Sequence, residues 1–154
     1  MTLSLKQKGV GLGALAAAII IGAWLFFTRW TPEDAANAQH YHQAMLEVRE
    51  AIAYANGKGG LIDPSDARYL IERYNQAAQQ ADLVRDEVLS KLHSELPEAW
   101  HDLFVPSTQI YRRAFEDQDR DLARQASLIQ DDWVRWLRLN GHQVKVPPPP
   151  SNRP

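Results

Sequence analysis

The chain has 154 residues, carries 17 basic and 19 acidic side chains for a formal charge of −2, and contains no cysteine. That length accommodates one domain plus its ends, and the missing cysteines exclude disulfides, thiolate metal sites and thiol nucleophiles. Once Lys6 and Lys8 are set aside with the apolar segment they precede, 15 basic residues face 19 acidic ones; that balance argues against nucleic acid as a partner, which calls for a basic surface.

The first element is the run Gly9 to Phe27, 19 residues without a charge or a strongly polar group. As a helix it reaches about 29 Å, the thickness of a bilayer's hydrocarbon core. Lys6 and Lys8 precede it, and the cationic side resists translocation, so residues 1–8 are expected to stay in the cytoplasm and the remainder to be exported, into the periplasm if the source is bacterial. Trp24, Phe26, Phe27 and Trp30 gather at the exit end, where aromatic rings favour the interface. Within the run, Gly9, Gly13 and Ala17 form one stripe of small residues and Ala14, Ala18 and Gly22 a neighbouring one. Such stripes allow close approach of a partner helix or a second copy. Gly and Ala are also simply common in membrane segments.

Ala36-Asn37-Ala38 has the pattern of a signal peptidase site. Three features oppose cleavage there. The apolar run exceeds the usual signal-peptide core, Ala38 lies eleven residues past Phe27, and Thr31-Pro32-Glu33-Asp34 reads as a helix start. Thr31 can cap, Pro32 suits the first helical position, and Asp34 complements the helix dipole. A helix from Pro32 holds Ala38 in its second turn, whereas proteases need extended chain. The expectation is a retained signal-anchor over 9–29.

The exported part, 31–141, is expected to hold three long helices. The first runs from Pro32 to about Ala55, with Ala38, Tyr41, Met45, Val48, Ile52 and Ala55 on one face. Asn56 to Gly60 end it. Asp63-Pro64-Ser65-Asp66 repeats the start signal, and the spacing of Ala67, Leu70, Tyr74, Ala77, Ala81, Val84, Val88 and Leu92 predicts one helix to about Leu96. "LPEAWHDLFVPS" predicts a short connector with a helical turn or two. Its Trp100, Leu103 and Phe104 either dip into the membrane interface or, the preferred reading, cover the base of the bundle. A third helix is predicted from Pro106 to Gly141 through Tyr111, Phe115, Gln118, Leu122, Ala126, Ile129, Trp133, Trp136 and Leu137. With no alternating strand pattern, the expected fold class is all-α. It comprises a single N-terminal transmembrane helix, an up-down-up three-helix bundle with a helical connector, and an extended, disordered Pro-rich tail over 142–154. This layout puts Trp133 and Trp136 at the tip away from the membrane, beside Leu61 and Ile62.

Several clusters invite a chemical reading. His40, His42 and Met45 carry copper-type donors. Residues two apart on a helix, however, point about 200° away from one another, which leaves them weak metal candidates. Glu98 and His101 match a Glu-x-x-His spacing, but di-iron bundles need two such motifs and two further glutamates. Ser65 and Ser107 are better explained as helix-start residues, and "GKGG" is a turn. No catalytic group and no cofactor is expected. The alternating charges of the last helix, such as Arg112 with Glu116 and Asp131 with Arg135, describe a solvated face. The stretch around Trp133, Arg135, Trp136 and Arg138, followed by Pro147 and Pro148, has the composition of an interaction hot spot with a reaching tail. It equally describes two core tryptophans before a disordered end, and between these lies one buried and one partly exposed ring.

The function these features lead to is a non-enzymatic, single-pass membrane accessory or scaffold protein. Its exported bundle would bind or stabilise membrane or envelope proteins, with self-association as a further possibility and no nucleic-acid partner. The alternative is an exported ligand- or metal-responsive helical sensor or chaperone.

Overall fold

The computed structural model describes residues 30–59, 61–145 and 147. The expected anchor, with its stripes Gly9, Gly13, Ala17 and Ala14, Ala18, Gly22, lies outside the described residues, as does Pro148. Among the described residues no helix is long and apolar enough to cross a membrane, and every regular element is helical.

The first helix, α1, spans Pro32–Gly57. Its start is the predicted one. The Asp34 N–H donates to the Thr31 hydroxyl at 3.1 Å and the Asp34 carboxylate accepts from the Thr31 N–H at 3.4 Å, a reciprocal cap with Pro32 in the first turn. Trp30, just before it, is buried. Helix α2, Pro64–Asp82, opens the same way, with Asp63 accepting from the N–H groups of Ser65 and Asp66 at 2.8 Å each. Gly59, at φ +59°, supplies the left-handed residue that stops α1.

The expected second helix does not run to Leu96. It breaks after Asp82, and a short helix α3 follows at Asp86–Leu92. No Gly or Pro marks the break. Its cause is tertiary: the Asn37 amide on α1 donates to the Leu83 carbonyl at 2.7 Å and accepts from the Arg85 N–H at 2.9 Å. Backbone groups freed by ending one helix and starting another are thereby satisfied from a neighbouring helix. The Arg85 guanidinium reaches Glu33 at 3.0 Å and Asp34 at 2.7 Å, and Lys91 also pairs with Asp34.

The predicted connector is helical throughout. Helix α4, Leu96–Ala99, runs through a π-helical turn at Trp100–Phe104 into α5, Val105–Glu116. The Val105 N–H donates to the Trp100 carbonyl, five residues back. Pro106 explains the widened turn: it has no N–H to give and its ring crowds the carbonyl four residues earlier, so the backbone takes in one extra residue. The hydroxyls of Ser107 and Thr108 then donate to the carbonyls of Phe104 and Val105 at 2.8 and 2.7 Å. Trp100 and Phe104 are fully buried, as expected of residues that close the base.

The third predicted helix is also two helices. It turns at Gln118, a non-glycine residue at φ +52°, and α6 spans Arg120–Asn140. The Asp119 N–H donates to the Ala114 carbonyl at 2.9 Å and the Asp117 N–H to that of Arg113 at 2.8 Å, closing α5, while the Asp119 carboxylate caps α6. The bundle is therefore an antiparallel four-helix arrangement in which α1 packs on α2, α2 on α5 and α5 on α6, in place of the expected up-down-up three-helix bundle. A 3₁₀ turn at Gly141–Gln143 follows. The Lys145 N–H donates to the Leu92 carbonyl at 2.9 Å and Pro147 is buried, so the start of the expected extended tail folds back onto the base.

Candidate functional site

Two faces of α1 are used differently. Ala44 and Ala51 are fully buried, and with Ala77 and Ala81 of α2 they supply small side chains that allow close approach. A quarter-turn away, Met45 and Ile52 are bulky and only half-buried. They confront Trp133 and Leu137 of α6, which returns along α1 after the turn at Gln118. Alanines draw α1 onto α2, and large side chains hold it off α6. The result is a cleft of about 410 Å³ between α1 and α6, open along its outer side.

Trp133 forms the floor, 2% exposed. Its ring stacks on Trp136 with centroids 5.5 Å apart and planes at 6°, and meets Phe104 and Trp100 edge-on at 5.4 and 6.0 Å. Trp100 in turn stacks on Phe104 at 4.0 Å and touches Tyr41 of α1 at 5.1 Å. Burial pushes the Tyr41 hydroxyl up to about 12. This aromatic block fixes the floor rigidly. The rims are Leu46 on α1, 37% exposed, and Val134 on α6, 40% exposed.

Three polar residues line the cleft. His42 stands at the basal end opposite Leu137, and burial holds its imidazole below the usual histidine range, so it is neutral at pH 7. Gln130 is buried. Arg49, on the α1 rim, is exposed and makes no ion pair among the described residues, whereas its neighbour Glu50 is engaged by Arg73 of α2 at 3.3 Å. The rest of the lining, Met45, Leu46, Val48, Ile52, Trp133, Val134 and Leu137, is apolar.

The residues singled out from the sequence are distributed as follows. His40 turns toward α2, where its Nδ1 lies 2.7 Å from the Gln80 side-chain oxygen, while His42 and Met45 face α6. The two imidazoles therefore serve different interfaces, and among the described residues no group of three or more His, Asp or Glu could hold a metal ion. Trp133 and Trp136 are not at the tip beside Leu61 and Ile62. The reversal at Gln118 carries them to the opposite end, where Trp136 meets His93 edge-on at 5.4 Å, and Ile62 instead borders a second cleft with Phe115 and Gln118. Trp133 is core, and Trp136 is half-buried. Arg135 pairs with Asp132 at 3.1 Å rather than with Asp131, and Arg138 is exposed. Arg112 does pair with Glu116, at 3.6 Å. Leu46, Arg49, Gln130 and Val134 were not grouped by sequence reasoning. The available signal was Leu46 of α1, an apolar residue off the single stripe assigned to that helix.

No family model, no curated protein and no solved structure matches this chain.

Proposed function

We propose that this protein is a single-pass, membrane-anchored accessory or scaffold protein whose helical bundle binds or stabilises partner proteins on the exported side. The observation that carries the reading is the cleft between α1 and α6: a rigid aromatic floor with apolar rims left open to solvent at Leu46 and Val134. Apolar rims of this kind are stabilised when a protein surface covers them.

Anchoring rests on the apolar run Gly9 to Phe27, and the joint to the bundle supports its retention. Cleavage after Ala38 would remove Thr31, which caps α1, and Asp34, which pairs with Arg85 and Lys91. It would also remove Asn37, which bridges the α2–α3 break. A mature chain starting at Gln39 would lose all three. With Trp30 buried and α1 beginning two residues later, hardly any linker separates the apolar run from the bundle, so the anchor holds the bundle close to the membrane surface.

Fractionation of cells producing the full chain, followed by mild-detergent purification, tests the reading. The expected result is a membrane-bound protein that still contains residues 31–38 and elutes with a stoichiometric partner. A soluble monomer with its N-terminus at Gln39 would overturn it.

A further inference from the structure

We infer that the α1–α6 cleft receives one amphipathic helix from a partner protein, an apolar stripe facing Trp133 and a carboxylate facing Arg49. This rests on the accessory-protein reading and names the contact by which it would work.

Shape favours a helix. From His42 to Ile52 the cleft follows α1 for ten residues, about 15 Å or three helical turns, and both walls are themselves helices. A third helix lying along such a trough places residues at three- and four-residue spacing between the rims, which is the helix-in-groove mode of recognition. Leu46 and Val134, 37% and 40% exposed, stand above the floor, and a helix laid along the trough covers both rims at once.

Charge selects the helix. Arg49 is the one charged residue lining the cleft. The nearby cations Arg73, Arg85 and Arg135 are all committed to carboxylates of this chain, but Arg49 is not. His42 is neutral and Gln130 uncharged, so among the lining residues Arg49 alone offers a partner helix a positive site, where a carboxylate is favoured and a cation is penalised.

The test uses the full chain in membranes of cells that naturally produce it. A photo-crosslinking side chain is placed at Leu46, at Val134, or at the exposed Gln79 of α2 as a control. The expected result is that Leu46 and Val134, but not Gln79, crosslink to one and the same partner segment. Its sequence should show apolar residues at three- and four-residue spacing with an Asp or Glu on the flank. Arg49→Glu should lower the crosslink yield about tenfold, and exchanging the partner's carboxylate for Lys should restore it; a thermal melt verifies that Arg49→Glu remains folded. The inference is overturned if the crosslinked species is a second copy, the chain's own residues beyond 147, or lipid. It is also overturned if Arg49→Glu leaves the yield unchanged or no adduct forms. Where no adduct forms but the partner still co-purifies in detergent, the helix-in-cleft assignment falls while the accessory reading stands. Where both are absent, both fall.

Discussion

The side-chain amide of Asn37 occupies the gap between α2 and α3, donating to the Leu83 carbonyl at 2.7 Å while accepting from the Arg85 N–H at 2.9 Å. One residue of α1 thus serves as both partners that the interrupted backbone lacks. Around it, Glu33 and Asp34 hold the Arg85 side chain and Asp34 also holds Lys91. Lys91, with a charge-assisted bond, is the largest of the influences that hold the Asp34 carboxyl below the usual range, against burial, which raises it.

Replacing this amide should loosen the break. Asn37→Ala removes both hydrogen bonds and is expected to destabilise the bundle by about 1–2 kcal/mol. Asn37→Asp keeps the acceptor for Arg85, loses the donor to Leu83, and should cost less. Chemical denaturation measures the totals. Amide exchange should accelerate first at Val84 to Val88; uniform acceleration across α1 and α2 would show that the bond does not act locally.

Gln118 adopts φ +52° to join α5 to α6, a conformation that costs a side-chain-bearing residue about 1 kcal/mol relative to glycine. Gln118→Gly is therefore expected to stabilise by up to about 1 kcal/mol, and Gln118→Val to destabilise, since a β-branched residue resists this region. A rise in melting temperature for the glycine variant checks the sign. A fall would mean that the Gln118 side chain makes a contribution beyond its backbone geometry.

Asp66 should govern the acid limb of stability. Hydrogen bonds from Lys58, foremost, and from Tyr54, at 2.6 Å, with a further one from the Asp63 N–H at 3.1 Å, bring its carboxyl down to about 2. The folded value is below the unfolded one of about 3.9. Stabilisation is thus present in full above about pH 4 and disappears as pH falls through about 2. The melting temperature should drop across that window. In Asp66→Asn it should start lower at pH 7 and decline less steeply; an unchanged slope would remove Asp66 as the cause.

The two tryptophans of α6 should separate by experiment. Trp133→Ala empties the floor of the cleft beneath Trp100 and Phe104 and is expected to cost about 3–5 kcal/mol. Trp136→Ala, at a half-buried ring against His93, should cost clearly less. Equal losses by denaturant titration would contradict their different burial.

The apolar stripes were legible because helical periodicity reports burial directly. Leu70, Tyr74, Ala77, Ala81, Val84, Val88 and Leu92 are all buried, although α2 ends at Asp82. A stripe can continue across a break when the next helix resumes on the same face. The break itself was not legible, because its determinant, Asn37, is 46 to 48 residues away from the groups it serves. At Gln118 a signal existed: four successive polar residues, Glu116 to Asp119, with Gln118 at a stripe position and Asp119 able to cap. A left-handed non-glycine residue is rare enough that the pattern reads first as continuous helix.

The all-helical character of the described residues, the sites where α1 and α2 begin, and the core stripe from Leu70 to Leu92 were determined by the sequence alone. Each depends on interactions within a few residues: Thr31 with Asp34, Asp63 with Asp66, and spacing along one helix. Tertiary structure decided that the bundle of described residues has four long helices rather than three, that Trp133 and Trp136 lie at the basal end rather than the tip, and that α1 and α6 face one another across an open cleft. Those outcomes depend on groups far apart in the chain. A single reversal at Gln118 redirects the 21 residues of α6, and local periodicity is the same for a helix running up the bundle or down it.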